Sequence, residues 1–164
     1  MPLLFVDLDN TLVDREAAFA EFARDFTDGL GLGRAEAEWL IEVDHDGFAA
    51  REVVAAAIQE RFGLGQDDGS QLLSTLRAGL VDRMRLDPSV PIALDRARTA
   101  GWRIAIVTNG TVPQQTHKIS ALGLRPYVDA VVISEGAGVR KPDPAIFRYA
   151  AGAALRFAQD GKHG

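Results

Sequence analysis

The sequence predicts an α/β protein in which a parallel sheet lies between layers of helices, with a block of helices inserted after the first strand. Three observations lead to this fold class. Short apolar runs typical of buried parallel strands occur at residues 3–8, 102–107 and 129–134. Helical patterns alternate with the last two runs. Residues 15–86, by contrast, contain helical patterns only, which indicates an inserted helical domain.

The composition is that of an ordinary globular chain. The 164 residues are 47% hydrophobic and 25% charged, which is enough for one core with a small insert. The net charge of −5 argues against a general nucleic-acid or anionic-membrane surface. The absence of cysteine excludes disulfides and thiolate sites. Because the sequence has neither a signal-peptide pattern nor a run of about 18 apolar residues, we expect no membrane span and a cytoplasmic protein.

The first strand carries the most informative polar residues. Its apolar run, Leu3–Val6, predicts a strand buried on both faces. Asp7 and Asp9 follow at its carboxyl end, and the two-residue repeat of a strand puts both on the same side. Open α/β sheets bind ligands at this end of their strands, so the two carboxylates indicate a ligand crevice.

Four helices are expected in the insert. The first follows Asp14, a capping residue, and its apolar side consists of Phe19, Phe22, Phe26 and Leu30. The second covers residues 34–44. The third covers 49–62, with an apolar side formed by Val53, Val54, Ala57, Ile58 and Phe62. The fourth opens at Asp68-Gly69-Ser70 and runs through Met84.

The rest of the chain alternates between helix and strand. A helix begins near Ser89, a second is centred on residues 114–122, and a third begins at Ala145 after a loop over 136–144. Thr108-Asn109-Gly110 directly follows the second strand. The carboxyl ends of parallel strands share one edge of a sheet, so we expect these residues near Asp7 and Asp9.

These segments together resemble a known family. Asp7-Leu8-Asp9-Asn10-Thr11-Leu12 is similar to the first motif of the haloacid dehalogenase-like (HAD) hydrolases, Thr108-Asn109-Gly110 to the second, and Lys141 to the third. The helical block occurs where family members with an α-helical C1-type cap carry that cap. The resemblance implies a Rossmann-like core formed by residues 1–14 and 87–164, and a cap formed by residues 15–86.

The resemblance also implies an activity. The resemblance is to the phosphatase type, like the phosphoglycolate phosphatases, and it implies magnesium-dependent hydrolysis of a small phosphomonoester through an aspartyl-phosphate. An ionised carboxylate nucleophile and a second proton-transferring group suit that chemistry. The implied catalytic residues are Asp7 as the nucleophile, Asp9 as the general acid and then base, and Thr108 and Lys141. The resemblance further implies phosphate binding by Thr108, Asn109, Gly110 and Lys141, and Mg²⁺ ligation by Asp7 and Asp9.

One family motif is missing from the sequence. The fourth, an acidic Gly-Asp turn after a further strand, has no counterpart after Ala150, which indicates a C-terminally shortened core. We therefore expect weaker binding of Mg²⁺ and an opening strand at the sheet edge, where it promotes self-association. Two alternatives to a phosphatase remain: a catalytically impaired module that binds phosphate or a partner protein, and a phosphomutase with the same residues.

Other polar residues carry less chemical information. His45, His117 and His163 have no metal-ligand spacing. The segment Asp44–Gly47 is typical of a helix-ending turn, although it lies where a cap loop could face substrate, and Arg51 is a weak candidate for binding a substrate anion.

Overall fold

The computed structural model describes residues 1–64 and 69–160, except for the side chains of 157–160. Three strands are present in it: β1 (Leu3–Val6), β2 (Arg103–Thr108) and β3 (Ala130–Ile133). The helices are α1 (Arg15–Gly29), α2 (Arg34–Asp44), α3 (Arg51–Phe62), α4 (Gly69–Arg83), α5 (Ser89–Thr99), α6 (Val112–Ala121), α7 (Ser134–Ala137) and α8 (Pro144–Asp160). Two single 3₁₀ turns lie at His45–Gly47 and Arg125–Tyr127. The predicted helix start at Asp68 and the residue His163 lie outside the described residues.

The chain divides into two compact units. The sheet unit combines Met1–Val13 with Arg85–Gly164 and contains the three strands. The helical unit, Asp14–Met84, contains α1 to α4. The interpretation of the helical unit as a cap stays a prediction.

The three strands form a parallel sheet in the order β1-β2-β3. Val6 is paired with Ile106, and Ile106 with Val131, so the strands end near one another. β1 lies at an edge of the described sheet, as expected, and all four of its residues are half-buried. The prediction that β1 is buried on both faces is therefore wrong, because an edge strand has a neighbour on one flank only.

Helices pack on this sheet and complete the predicted α/β class. On one face, α8 contributes Ile146, Ala150 and Ala154, which are spaced four residues apart and fully buried. They pack against alternate residues of the neighbouring strands, namely Ala105, Val107, Ala130 and Val132. Ile104 and Ile106 point to the opposite face and are also fully buried. α5 contacts β2 and contributes the buried Leu94.

The helical unit follows the predicted pattern with two exceptions. The Asp14 carboxylate caps α1 by accepting a hydrogen bond from the N–H of Ala17 at 2.8 Å. Leu30, predicted on the apolar side, is 41% exposed because α1 ends one residue earlier. Val53 is 60% exposed, because the buried stripe of α3 runs through Val54, Ala55 and Ile58.

A buried ion cluster joins three segments of the helical unit. Arg15 donates two hydrogen bonds to the Asp44 carboxylate, at 2.7 and 2.8 Å, and Arg51 approaches the same carboxylate at 2.6 Å. Both guanidinium groups lie over the ring of Phe19. The Asp44 side chain is 2% exposed. Arg51, the weak candidate for a substrate anion, is thus already paired with a carboxylate.

In the sheet unit, the structure differs most from the prediction in the segment directly after β3. The polypeptide forms the single helical turn α7 directly after β3, where the sequence predicted the strand to continue and then a loop. α8 begins at Pro144, one residue before its predicted start. None of the helices in residues 1–64 and 69–160 combines the length and apolar character of a membrane span.

Candidate active site

Polar side chains converge where the strands of the sheet unit end. β1 ends at Val6, directly before Asp7, and β2 ends at Thr108, directly before Asn109. The loop between α7 and α8 contributes Lys141. The parallel arrangement puts these segments at one edge of the sheet, as the sequence predicted.

Asp7 is paired with Lys141. The Asp7 Oδ1 atom lies 2.7 Å from the Lys141 Nζ atom and also accepts a hydrogen bond from the N–H of Leu8 at 2.8 Å. The Asp7 side chain is 41% exposed. Within the described part of the chain, its hydrogen bonds and ion pair all involve Oδ1. The arrangement leaves the second carboxylate oxygen, Oδ2, of this partly exposed side chain for other ligands.

A tight turn orients Asp9 relative to Asp7. The carbonyl of the fully buried Leu8 accepts hydrogen bonds from the N–H groups of Thr11, Leu12 and Val13. Asn10 has a φ of +57°, a left-handed conformation that asparagine adopts more readily than most residues. This conformation fits the loop predicted at Asn10-Thr11.

Asp9 has a separate set of partners on α6. The Lys118 Nζ atom lies 2.8 Å from each Asp9 carboxylate oxygen, and the Gln115 Nε2 atom donates to Oδ2 at 3.1 Å. The two carboxylates of the motif therefore each have their own lysine. Two ammonium groups offset the repulsion that two neighbouring carboxylates would otherwise exert on each other.

Gln115 also links Asp9 to the end of β2. Its Nε2 atom donates a second hydrogen bond, 2.6 Å long, to the hydroxyl of Thr108. Gly110 allows this approach: a Cβ atom there would lie 2.9 Å from the Gln115 Cγ atom, and its φ of +148° favours glycine. The glycine of the Thr108-Asn109-Gly110 segment is thus explained by packing against Gln115.

The side chain of Asn109 is bound to the backbone of Lys141. Its Nδ2 atom donates to the Lys141 carbonyl at 3.1 Å, and its Oδ1 atom accepts from the Lys141 N–H at 2.9 Å. This reciprocal pair fixes the backbone from which Lys141 reaches Asp7.

The N–H group of Gly110 donates to the Ser134 hydroxyl at 3.0 Å. Thr108, for its part, is buried at the end of its strand. The phosphate-binding roles expected for Thr108, Asn109 and Gly110 therefore stay predictions.

Sequence reasoning missed Gln115 and Lys118. A signal for them exists: Gln115, Lys118, Ile119 and Leu122 follow the i, i+3, i+4, i+7 pattern of a buried helix stripe. Gln115 is 2% and Lys118 8% exposed, while Ile119 on the same stripe is also buried. Two polar residues on such a stripe indicate a buried polar partner, because burial without one is costly.

The donors for a metal ion at this edge are few. The described residues contain no group of three or more His, Asp or Glu side chains placed to hold one. Mg²⁺, however, is commonly bound by one or two carboxylates together with substrate phosphate and water. The Oδ2 atom of Asp7 and the main-chain carbonyl of Asp9 are hard oxygen donors of the kind that fit it.

Comparison with known proteins identifies the family. The model of the haloacid dehalogenase-like hydrolases matches residues 1–155. The chain belongs to this family. The match confirms the resemblance found in the motifs, and it confirms the predicted enzyme class, a hydrolase, at the level of the family.

Individual HAD relatives are consistent with this assignment. The phosphoglycolate phosphatase of Rhodobacter capsulatus is 28% identical over 159 residues, which cover 91% of this chain and 69% of that protein. Two solved structures share the fold. YfnB of Bacillus subtilis, assigned as a HAD hydrolase and bound to magnesium, has a TM-score of 0.70, 22% identity, and coverage of 90% of this chain and 71% of its own. A protein of Thermotoga maritima assigned as a β-phosphoglucomutase has a TM-score of 0.75, 18% identity, and coverage of 94% and 71%.

Proposed function

We propose that this HAD-like chain is a magnesium-dependent phosphatase that hydrolyses a small phosphomonoester through an aspartyl-phosphate on Asp7. The observation that carries the proposal is the Asp7 carboxylate, which has one oxygen paired with Lys141 at 2.7 Å and a side chain that is 41% exposed. Asp9 lies two residues further on, where a second carboxyl group can transfer protons. Phosphatases among the relatives support the choice of phosphate chemistry.

The reaction proceeds in two steps. An oxygen of Asp7 attacks the phosphorus atom, the bond to the ester oxygen breaks, and Asp9 gives its proton to that leaving oxygen. Asp9, now a carboxylate, then takes a proton from water as the water oxygen attacks the same phosphorus atom. The bond between phosphorus and Asp7 breaks, and inorganic phosphate leaves.

Positive charge and hydrogen-bond donors stabilise the phosphoryl group in both steps. Lys141 supplies a cation beside Asp7, and Thr108, Asn109 and Gly110 form the proposed phosphate-binding segment. The Asp7 carboxylate and the Asp9 carbonyl would hold Mg²⁺, which when bound neutralises charge on the phosphate oxygens. One protein carboxylate is a sparse donor set, so we expect Mg²⁺ to bind weakly without substrate.

We further propose that the helical unit, Asp14–Met84, is the cap domain and selects the substrate. The charges of its buried Arg15–Asp44–Arg51 cluster are paired with one another, so we assign the cluster to stability of the unit. The substrate class is a small phosphorylated metabolite, as the phosphatase relatives suggest. A cytoplasmic location stays a prediction.

Hydrolysis of p-nitrophenyl phosphate tests the proposal, with Mg²⁺ present and after its removal by a chelator. The Asp7→Asn variant should lose at least about 10³-fold in rate, as expected on removal of a nucleophile. The matched control is Asp95→Asn, an exposed carboxylate on α5, which should retain activity. Activity that persists in Asp7→Asn would refute the aspartyl-phosphate.

Two other outcomes would favour the alternative functions. Phosphosugar isomerisation in place of phosphate release would identify a phosphomutase. Binding of inorganic phosphate by the wild-type chain without turnover of any phosphomonoester would identify a binding module.

A further inference from the structure

The Asp9 carboxylate is held by three contacts from one side of α6. Lys118 reaches both oxygens at 2.8 Å, and Gln115 reaches Oδ2 at 3.1 Å. Because contacts to both oxygens define the plane of a carboxylate as well as its position, the side chain of Asp9 has one preferred orientation. The orientation is set by residues outside the motifs by which the family was recognised.

Gln115 and Lys118 are themselves held in place by burial and by contacts with their neighbours. Gln115 is nearly fully buried, and its second amide hydrogen is directed at the Thr108 hydroxyl at 2.6 Å. Lys118, one helical turn further on, is 8% exposed. Residues three apart on a helix lie on the same face, so α6 presents both donors to Asp9 together.

We propose that Lys118, with Gln115, is a positioning residue that orients the Asp9 carboxyl group for proton transfer to the leaving oxygen. The inference rests on the proposed function, in which Asp9 is the general acid. Lys118 does not contact the reacting phosphoryl group in this assignment. It acts through Asp9, just as Asn109 acts on the backbone of Lys141.

This role has a signature that a general structural role lacks. A p-nitrophenolate leaves without a proton, whereas an alkoxide leaves poorly unless Asp9 protonates it. Loss of the orientation of Asp9 should therefore lower kcat/KM, which reports the steps up to departure of the leaving group, much more for an alkyl phosphate than for p-nitrophenyl phosphate. The later attack of water, in which Asp9 acts as the base, is common to both esters and does not enter kcat/KM. Loss of a cation that merely attracts phosphate should lower kcat/KM equally for both substrates.

The experiment compares Lys118→Met with wild type on p-nitrophenyl phosphate and on the fastest substrate in a panel of alkyl phosphomonoesters. For Lys118→Met we expect kcat/KM to fall about 10- to 100-fold on the alkyl ester and less than about 3-fold on the aryl ester. Lys118→Arg, which keeps the cation, should recover most of the alkyl-ester rate.

The matched control is Arg103→Met. Arg103 pairs with Asp129 at 2.6 Å in the same unit, at the amino end of β2 and so at the opposite end of the strand from the site. The Arg103→Met substitution removes one cation and one ion pair to an aspartate, and it leaves the contacts of Asp9 unchanged. We expect the same small change in rate for both substrates.

Crystal structures of the variants give a readout that does not depend on activity. In Lys118→Met the Asp9 carboxylate should move by about 1 Å or more, or occupy two conformers, and in Lys118→Arg it should stay in place. An unmoved Asp9 in Lys118→Met would overturn the inference even if the wild-type chain hydrolyses neither ester. Equal loss of kcat/KM on both esters would also overturn it. An inactive wild type, or an active Asp7→Asn, would count against the proposed function instead.

Discussion

Replacement of Asp44 by asparagine removes the only carboxylate from the Arg15–Asp44–Arg51 cluster while keeping the size of the side chain. In the wild-type chain, two guanidinium groups share this carboxylate at 2.6 to 2.8 Å. The exposed fractions of the side chains are 4% for Arg15, 2% for Asp44 and 11% for Arg51. In the variant, two largely buried cations therefore share a neutral amide in place of a carboxylate.

The expected loss of stability follows from these contacts. The cluster has three charge-assisted hydrogen bonds or ion pairs of about 1.5–3 kcal/mol each. Loss of all three would lower the free energy of unfolding by about 5–9 kcal/mol, which is the upper limit for this substitution. Part of this is retained, because both guanidinium groups still stack on Phe19 and the amide oxygen still accepts one bond. Removing one member of a buried ion pair typically costs about 3–5 kcal/mol. We expect about 4 kcal/mol for Asp44→Asn.

The two tryptophans allow each unit to be followed separately. Trp39 belongs to the helical unit, where its ring contacts Phe62 and Arg61, and Trp102 belongs to the sheet unit. In a Trp102→Phe background, urea denaturation monitored by fluorescence reports the helical unit through Trp39. Asp44→Asn should lower the midpoint of this transition by roughly 2 M or more.

The matched control is Glu52→Gln. Glu52 pairs with Arg77 at 2.9 Å in the same unit, but the two side chains are 62% and 46% exposed. The same carboxylate-to-amide change should cost less than about 1 kcal/mol there. If the free energies of unfolding of Asp44→Asn and Glu52→Gln agree within error, the cluster does not stabilise the helical unit and the reasoning fails.

Three further predictions concern the sheet unit. Gly110→Ala should lower its free energy of unfolding by about 1–2 kcal/mol, because the new Cβ atom meets Gln115 at 2.9 Å and the φ of +148° is unfavourable; an unchanged urea transition would contradict this. The hydrogen bond from the Ser89 hydroxyl, followed by that from its N–H, lowers the pKa of Asp87. The associated stability is present above the pKa of Asp87 in the unfolded chain and is lost as pH falls through the lowered pKa of the folded state. Ser89→Ala should raise the pKa of Asp87 part-way to its ordinary value in an NMR titration, and an unchanged value would count against the assignment. Self-association through the edge strand Leu3–Val6, for which the comparisons provide no support, predicts a dimer or larger species in sedimentation at micromolar concentration, and a monomer would argue against it.

The secondary structure of the chain was largely predictable because its elements carry clear periodicity. The apolar runs of the three strands and the capping residue Asp14 are local signals, and the structure contains the corresponding elements. Exposure was harder to predict. Val53 fits a helical apolar pattern as well as Val54 does, and only packing against neighbouring helices decides which of the two is buried.

The residues of the candidate site were predictable where they belong to a sequence motif. They were missed where they reach the site through contacts between residues that are far apart in the sequence. Asp7 and Asp9 are recognisable from a strand followed by acidic residues. Gln115 and Lys118 are separated from Asp9 by more than 100 residues, and nothing local relates them to it. Their polar character on a buried helix stripe is the one sequence feature that indicates their role.

The central claim is that Asp7 carries the phosphoryl group, and chemical trapping of that group tests it most directly. Borohydride reduces an acyl phosphate to a primary alcohol, so quenching during turnover of p-nitrophenyl phosphate should convert the side chain of Asp7 to that of homoserine. Mass spectrometry of the peptide containing Asp7 should detect this change in the wild-type chain but not in Asp7→Asn. Turnover with an unmodified Asp7, or with the modification at another carboxylate, would contradict the account.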